Sequence, residues 1–76
     1  MVIKVLGKGC KKCQLLEKNV NKALEHLGIS ARVIKVTDNN TITNYGVMQT
    51  PALVVDEQVK LAGRVASYKK IASLIQ

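Results

Sequence analysis

Tryptophan and phenylalanine are both missing from this 76-residue chain, and tyrosine occurs only at Tyr45 and Tyr68. A core must therefore be aliphatic, and apolar residues at 47% of the chain suffice for one. The same scarcity removes the aromatic and basic interleaving of nucleic-acid surfaces, and no nucleic-acid-binding module is recognisable. Long apolar runs are missing too. Met1–Leu6 is interrupted by Lys4 and is too short for a signal-peptide core or a membrane span. No membrane association is expected, and the cytoplasm is the expected location. Acids are few, five against twelve Lys and Arg. Cysteine occurs twice and proline once. In a reducing compartment a structural disulfide is disfavoured, so two cysteines three residues apart read as catalytic or metal-binding.

Those two cysteines form Cys10-Lys11-Lys12-Cys13, where a short apolar strand gives way to an amphipathic helix. A helix N-terminus presents unpaired N–H groups and the positive end of the macrodipole, which favour a thiolate over a thiol. The thiolate is the form that attacks disulfides and binds metals. The formal net charge is +7, and it is uneven. Residues 1–22 hold Lys4, Lys8, Lys11, Lys12, Lys18 and Lys22 against Glu17 alone. Such a field keeps a surface solvated, and it also suits thiolate stabilisation and the steering of an acidic partner.

Along the chain, Val2–Leu6 reads as a strand, and Gly7-Lys8-Gly9 as a turn. A helix is expected from Lys11 to Leu27, because Cys13, Leu16, Val20, Leu24 and Leu27 recur at spacings of three and four. Leu15 and Ala23 are expected to widen that stripe, and Gly28 to end the helix. Ala31–Val36 is a second strand. A strand–helix–strand run with this crossover implies a parallel, right-handed unit. Asp38-Asn39-Asn40 forms a cap cluster for a short helix reaching Tyr45, in weak helix formers. Ala52–Val55 and Gln58–Ala62, joined by Asp56-Glu57, form an antiparallel hairpin. Ser67 caps a last helix whose apolar residues are Tyr68, Ile71, Ala72 and Ile75, with Ala66 and Ile71 at staple positions. One domain over residues 1–76 is expected, without linker or repeat.

Gly-x-Gly-Cys-x-x-Cys opening a helix after a strand, with Thr50-Pro51-Ala52-Leu53 before a hairpin, resembles the thioredoxin superfamily. It is most similar to the small archaeal and bacterial redox-active disulfide proteins. The resemblance spans the whole chain and implies an α/β, thioredoxin-like fold of glutaredoxin size. Its order is βαβ-α-ββα, with a four-stranded mixed sheet and helices on both faces. It further implies that Pro51 is a cis-proline beside the cysteines, and that the backbone of Thr50 pairs with a bound substrate peptide. Some positions depart from better-known members. Gly9 stands where thioredoxins carry Trp, and Lys11-Lys12 where they carry Gly-Pro. Lys4 stands where they keep a buried acid. That lysine either shuttles protons with a depressed pKa or extends its amine out of the sheet end, the second being favoured. The glutathione-binding Gly-Gly-Asp pattern is missing from Ala62–Ser67.

The implied function is thiol–disulfide oxidoreduction, as a protein-disulfide reductase and electron carrier. Cys10, at the helix cap, would attack a partner disulfide, and Cys13, one turn further in, would resolve the mixed disulfide. Lys8, Lys11 and Lys12 would tune the thiol, and Thr50, Pro51 and Met48 would contact substrate. Met48 serves equally well as core filler, and the tyrosines are expected to pack the core. No cofactor beyond the disulfide is expected. Partners would be disulfide-containing proteins and a thioredoxin-reductase-type donor, the protein acting as a monomer. The rival reading is CxxC binding of copper or zinc. Copper chaperones of the heavy-metal-associated type share the motif at a helix start but end in a strand. A structural zinc site needs four ligands. His26 lies about 20 Å along the helix from Cys13, at 1.5 Å per residue, and cannot join the pair. It is expected to face solvent. A third reading is a thioredoxin-fold binding module with inert cysteines.

Overall fold

The computed structural model describes residues 1–75. Its elements run β1 (Val2–Leu6), α1 (Lys11–Leu27), β2 (Arg32–Val36), α2 (Asn39–Asn44), β3 (Ala52–Val55), β4 (Gln58–Ala62) and α3 (Tyr68–Ile75). The strands form one sheet in the order β2-β1-β3-β4. β1 pairs parallel with β2, while β3 runs antiparallel to both β1 and β4. This is the mixed four-stranded sheet that the element order implied. The second strand begins at Arg32 rather than Ala31, because Arg32 N–H donating to the Met1 carbonyl oxygen starts its ladder.

The side-chain alternation of β1 explains the layering. Ile3 and Val5 face α1 and α3, in a cluster with Leu16, Val20, Ala23, Leu53, Val55, Leu61 and Ile71. Leu6 faces the other way, with Ala52, Val54, Ile42 and Val47 under α2. Helices thus cover both faces. Leu15 departs from expectation: it stays 48% exposed. The buried stripe of α1 runs through Cys13, Leu16, Val20, Ala23 and Leu24. Leu15 lies 100° or more round the helix from most of that stripe, at about 3.6 residues per turn. Asn19 Nδ2 donates to the Ala66 carbonyl oxygen at 2.9 Å, tying α1 to the approach to α3.

Local chemistry sets the element ends. Gly28 takes a left-handed φ of 68° and donates to the Glu25 carbonyl, closing α1. Asp38 caps α2 by accepting from Thr41 N–H at 3.0 Å, which compensates for weak intrinsic propensity. Asp56 and Glu57 both take left-handed φ, 48° and 68°, as a two-residue hairpin turn requires. A register shift between Leu53 and Val54 then leaves Lys60 as the extra residue of β4, since Val59 pairs with Val54 and Leu61 with Leu53.

Lys4 resolves in favour of the extended amine. Its Nζ donates to Tyr45 Oη and to Glu57 Oε1, each at 2.6 Å, and Tyr45 Oη donates to Glu57 Oε2 at 2.9 Å. These bonds raise the Lys4 pKa, chiefly through Glu57 and then Tyr45, so the depressed value a proton shuttle needs is not there. Both tyrosines are half-buried and pack against the core, as expected. Tyr45 packs on the α2 cluster with its hydroxyl in this network, and Tyr68 lies on the α1–α3 cluster. His26 is exposed, 5.6 Å edge-on from the Tyr68 ring.

The Lys4–Glu57 pair has a definite pH signature. The same contacts lower the Glu57 carboxyl, Lys4 first and Tyr45 second. A depressed acid stabilises the fold above its ordinary value of 4.5, and that support is lost as pH falls through the folded value. The raised lysine adds support below 10.5 that is lost as pH rises through its folded value. Glu57→Gln should therefore lower the urea midpoint at pH 7, and the gap from wild type should close in acid. A gap that persists unchanged at pH 3 would contradict this assignment.

Candidate active site

β1 is a central strand, paired on both edges, and its C-terminal end delivers the chain to the site. Gly7 N–H donates to the Val36 carbonyl at 2.9 Å, extending the parallel pairing one residue past the strand. The chain turns through Lys8 and Gly9, and Cys10 becomes the N-cap of α1 in an extended conformation, φ −67° and ψ 169°. The Gln14 side chain donates back to the Gly9 carbonyl at 3.0 Å, bracing that turn.

The two sulfurs occupy different environments. Cys10 is exposed, whereas Cys13 is buried at 5% exposure. Both are free, with Sγ atoms 2.9 Å apart. Cys10 Sγ also accepts from Cys13 N–H at 3.4 Å. The Cys13 thiol bond is the main cause lowering the Cys10 pKa, followed by the backbone N–H of Cys13 and those of Lys12 and Cys10. Cys13 moves the opposite way. Burial raises its pKa first, and the hydrogen bond to Cys10 adds to this. The pair is therefore pushed apart: Cys10 is the more readily ionised sulfur and Cys13 the less.

Gly7 makes this arrangement possible. A β-carbon there would overlap the Cys13 sulfur, and would stand 3.7 Å from the Thr50 β-carbon. Gly7, Cys13 and Thr50 thus converge at one spot. The Thr50–Pro51 peptide bond is cis. Pro51 is fully buried, and its carbonyl accepts from Gly63 N–H at 2.9 Å. Thr50 remains exposed beside the cysteines. Met48 is 91% exposed, which excludes the core-filler reading, while its neighbour Val47 is buried. Lys8, Lys11 and Lys12 lie exposed around the motif. Among the described residues no lysine ammonium bonds the Cys10 sulfur; its neighbours there are the Cys13 thiol and backbone amides.

Three residues of this site were not singled out from the sequence. Gly7 read as a plain turn, although its role is to leave room for sulfur. Glu17 and Lys35 lie 3.3 Å apart and join Cys13, Gln14, Val5, Gly7, Gly9 and Thr37 around a cavity of about 90 Å³. Glu17 follows Cys13 by one helical turn, a spacing visible in the sequence; Lys35 comes from the neighbouring strand and leaves no local signal. Among the described residues no group of three or more His, Cys, Asp or Glu side chains comes together to hold a metal, and no helix is long and apolar enough to cross a membrane.

Comparison with known proteins agrees with this geometry. A family model described as thioredoxin domain matches residues 1–76. The chain is 40% identical over 75 residues to a thioredoxin of Methanothermobacter thermautotrophicus, covering 99% of this chain and 97% of that protein. It is 41% identical over 71 residues to a thioredoxin of Methanocaldococcus jannaschii, covering 93% and 81% respectively.

If the Cys13 thiol is the main group lowering Cys10, removing it should raise the pH at which Cys10 reacts. The rate of iodoacetamide labelling of Cys13→Ala should rise with pH at a higher midpoint than wild-type Cys10. Cys13→Ser, which keeps a hydrogen-bond donor, should fall between the two. Identical midpoints in all three proteins would assign the lowering to the backbone amides alone.

Proposed function

Because the chain belongs to the thioredoxin domain family, whose activity is thiol–disulfide oxidoreduction, we propose that it reduces protein disulfides through a Cys10–Cys13 dithiol–disulfide cycle. One observation carries this reading: an exposed sulfur with a lowered pKa lies 2.9 Å from a buried one with a raised pKa. Cys10 thiolate attacks one sulfur of the partner disulfide, forming a mixed disulfide and expelling the other partner sulfur as thiolate. Cys13 then attacks Cys10 Sγ, closing the intramolecular disulfide and releasing the second partner thiolate. Two electrons pass to the partner. A thiol-based donor of the thioredoxin-reductase type returns them, and the dithiol itself is the redox group.

Thr50 is exposed next to the sulfurs, where its backbone is free to pair with an extended substrate segment. Pro51 shapes the wall, and exposed Met48 offers a flexible apolar contact to varied partners. Lys8, Lys11 and Lys12 add positive potential that draws acidic partners and favours thiolate, screened by salt. In this reading the whole chain acts as one monomeric domain in a reducing cytoplasm.

The division of roles is directly testable with a disulfide-containing protein such as insulin and a dithiol donor. Wild type should reduce it, and Cys10→Ser should not. Cys13→Ser should stop as a covalent adduct through Cys10, seen by mass spectrometry. An adduct that forms through Cys13 in Cys10→Ser instead would reverse the assignment.

The residues between the cysteines should set the potential. Stabilising the thiolate stabilises the reduced form and makes the couple more oxidising. Lys11→Gln with Lys12→Gln removes charge only. Lys11→Gly with Lys12→Pro also removes the Lys12 N–H, one of the donors that lowers Cys10. Equilibration with glutathione should show a lower potential for the first pair and a lower one still for the second. An unchanged or higher potential would mean that these residues do not stabilise the thiolate.

A further inference from the structure

The resolving step needs a proton acceptor. Cys13 holds its hydrogen until it attacks, and it is buried away from bulk solvent. Lys4 does not serve: it precedes Val5 on β1, so it projects to the opposite sheet face, where Tyr45 and Glu57 engage it. Cys13 instead borders the cavity of about 90 Å³, which Val5, Gly7, Gly9, Gln14, Glu17, Lys35 and Thr37 also line. The lining is mostly apolar, and Gln14, Glu17, Lys35 and Thr37 are the residues in it that bring an amide, a carboxylate, an ammonium and a hydroxyl. A space this size, with two to four polar partners, admits water, each molecule of which occupies about 30 Å³ in the liquid.

Glu17 is placed to use that space. It follows Cys13 by four residues, so both side chains rise from one face of α1. Among the described residues it is the only carboxylate lining the cavity. Its side chain is 25% exposed, and Lys35 Nζ from β2 holds it at 3.3 Å. Among the described residues, the titratable groups around Cys13 are Cys10 from the helix cap, which bonds it, and Glu17 from its own helix and Lys35 from the adjacent strand, which line the same cavity.

We infer that Glu17 is the proton acceptor for Cys13, taking its proton through water in this cavity when the mixed disulfide is resolved. This rests on the proposed roles of Cys10 and Cys13. In the step, the Cys13 S–H bond breaks and its proton passes by way of water to a Glu17 oxygen. The Cys13 electron pair forms the bond to Cys10 Sγ. The bond from Cys10 to the partner sulfur breaks, and the partner leaves as thiolate. When a dithiol donor reduces the pair, Glu17 returns the proton to Cys13. Lys35 is a positioning residue that keeps the carboxylate at the cavity.

A coloured aromatic disulfide, dithiobis(nitrobenzoate), separates the two steps. Reduced protein releases one thiolate when Cys10 attacks and a second when Cys13 resolves. Excess reagent makes the first release outrun the second. Glu17→Gln keeps the shape of the side chain but cannot take a proton. It should leave the first release intact and slow the second about tenfold or more at pH 7, the scale of general-base contributions. The deficit should shrink as pH rises and hydroxide takes the proton. Glu17→Asp, which restores a carboxylate, should recover part of the rate. A second release unchanged in Glu17→Gln from pH 6 to 9 would overturn the role of Glu17. So would equal slowing in the Gln and Asp variants at every pH, the mark of a merely structural residue. Failure of Cys13→Ser to give the first release would instead overturn the assignment of Cys10 as nucleophile.

Discussion

The Cys13 sulfur lies against the backbone of Gly7, in space that any other residue's β-carbon would fill. This contact couples a strand end to a helix start. β1 is held on both edges by β2 and β3, so its end is a fixed point. The first turn of α1 closes onto that point with one sulfur inward. Three residues earlier, at the cap, the other sulfur must then face out. The unequal pKa shifts of the pair follow from this: burial holds the hydrogen on Cys13, and the thiol and amides of the helix start draw charge onto Cys10.

The rest of the fold supports that junction from both sides of the sheet. An aliphatic layer under α1 and α3 fixes the height and tilt of α1. The smaller cluster under α2 anchors Leu6 and Ala52, the ends of the two strands that bracket the site. With no Trp or Phe to fill volume, both layers use branched aliphatic side chains, which pack in few rotamers. The lysine-rich surface of α1 lies outside this frame. The donors closest to the Cys10 sulfur are instead the neutral thiol and amides of the helix start.

Much of this was legible in the residues alone. The bounds of α1 followed from a three-and-four apolar spacing and a glycine that accepts positive φ, both local properties. The hairpin followed from two short apolar runs and a two-residue turn. Leu15 shows the limit of that reasoning: an apolar residue near a stripe is buried only as far as its neighbours reach it, and Leu15 stays 48% exposed. Lys4 shows another. Position in the chain left a proton shuttle and the favoured extended amine both open, because its partners, Tyr45 and Glu57, are 41 and 53 residues away in sequence.

The sequence by itself determined the chemistry available: a CxxC dithiol at a helix start, a Thr-Pro entry to a strand, and an element order that matches one fold. Those signals are short-range, set by periodicity, caps and turns. Tertiary structure alone decided that Gly7 must lack a side chain, and that Glu17 and Lys35 line a cavity beside Cys13. Each of these depends on distances between segments far apart in the chain. Such distances arise only when strand pairing and core packing bring the segments together.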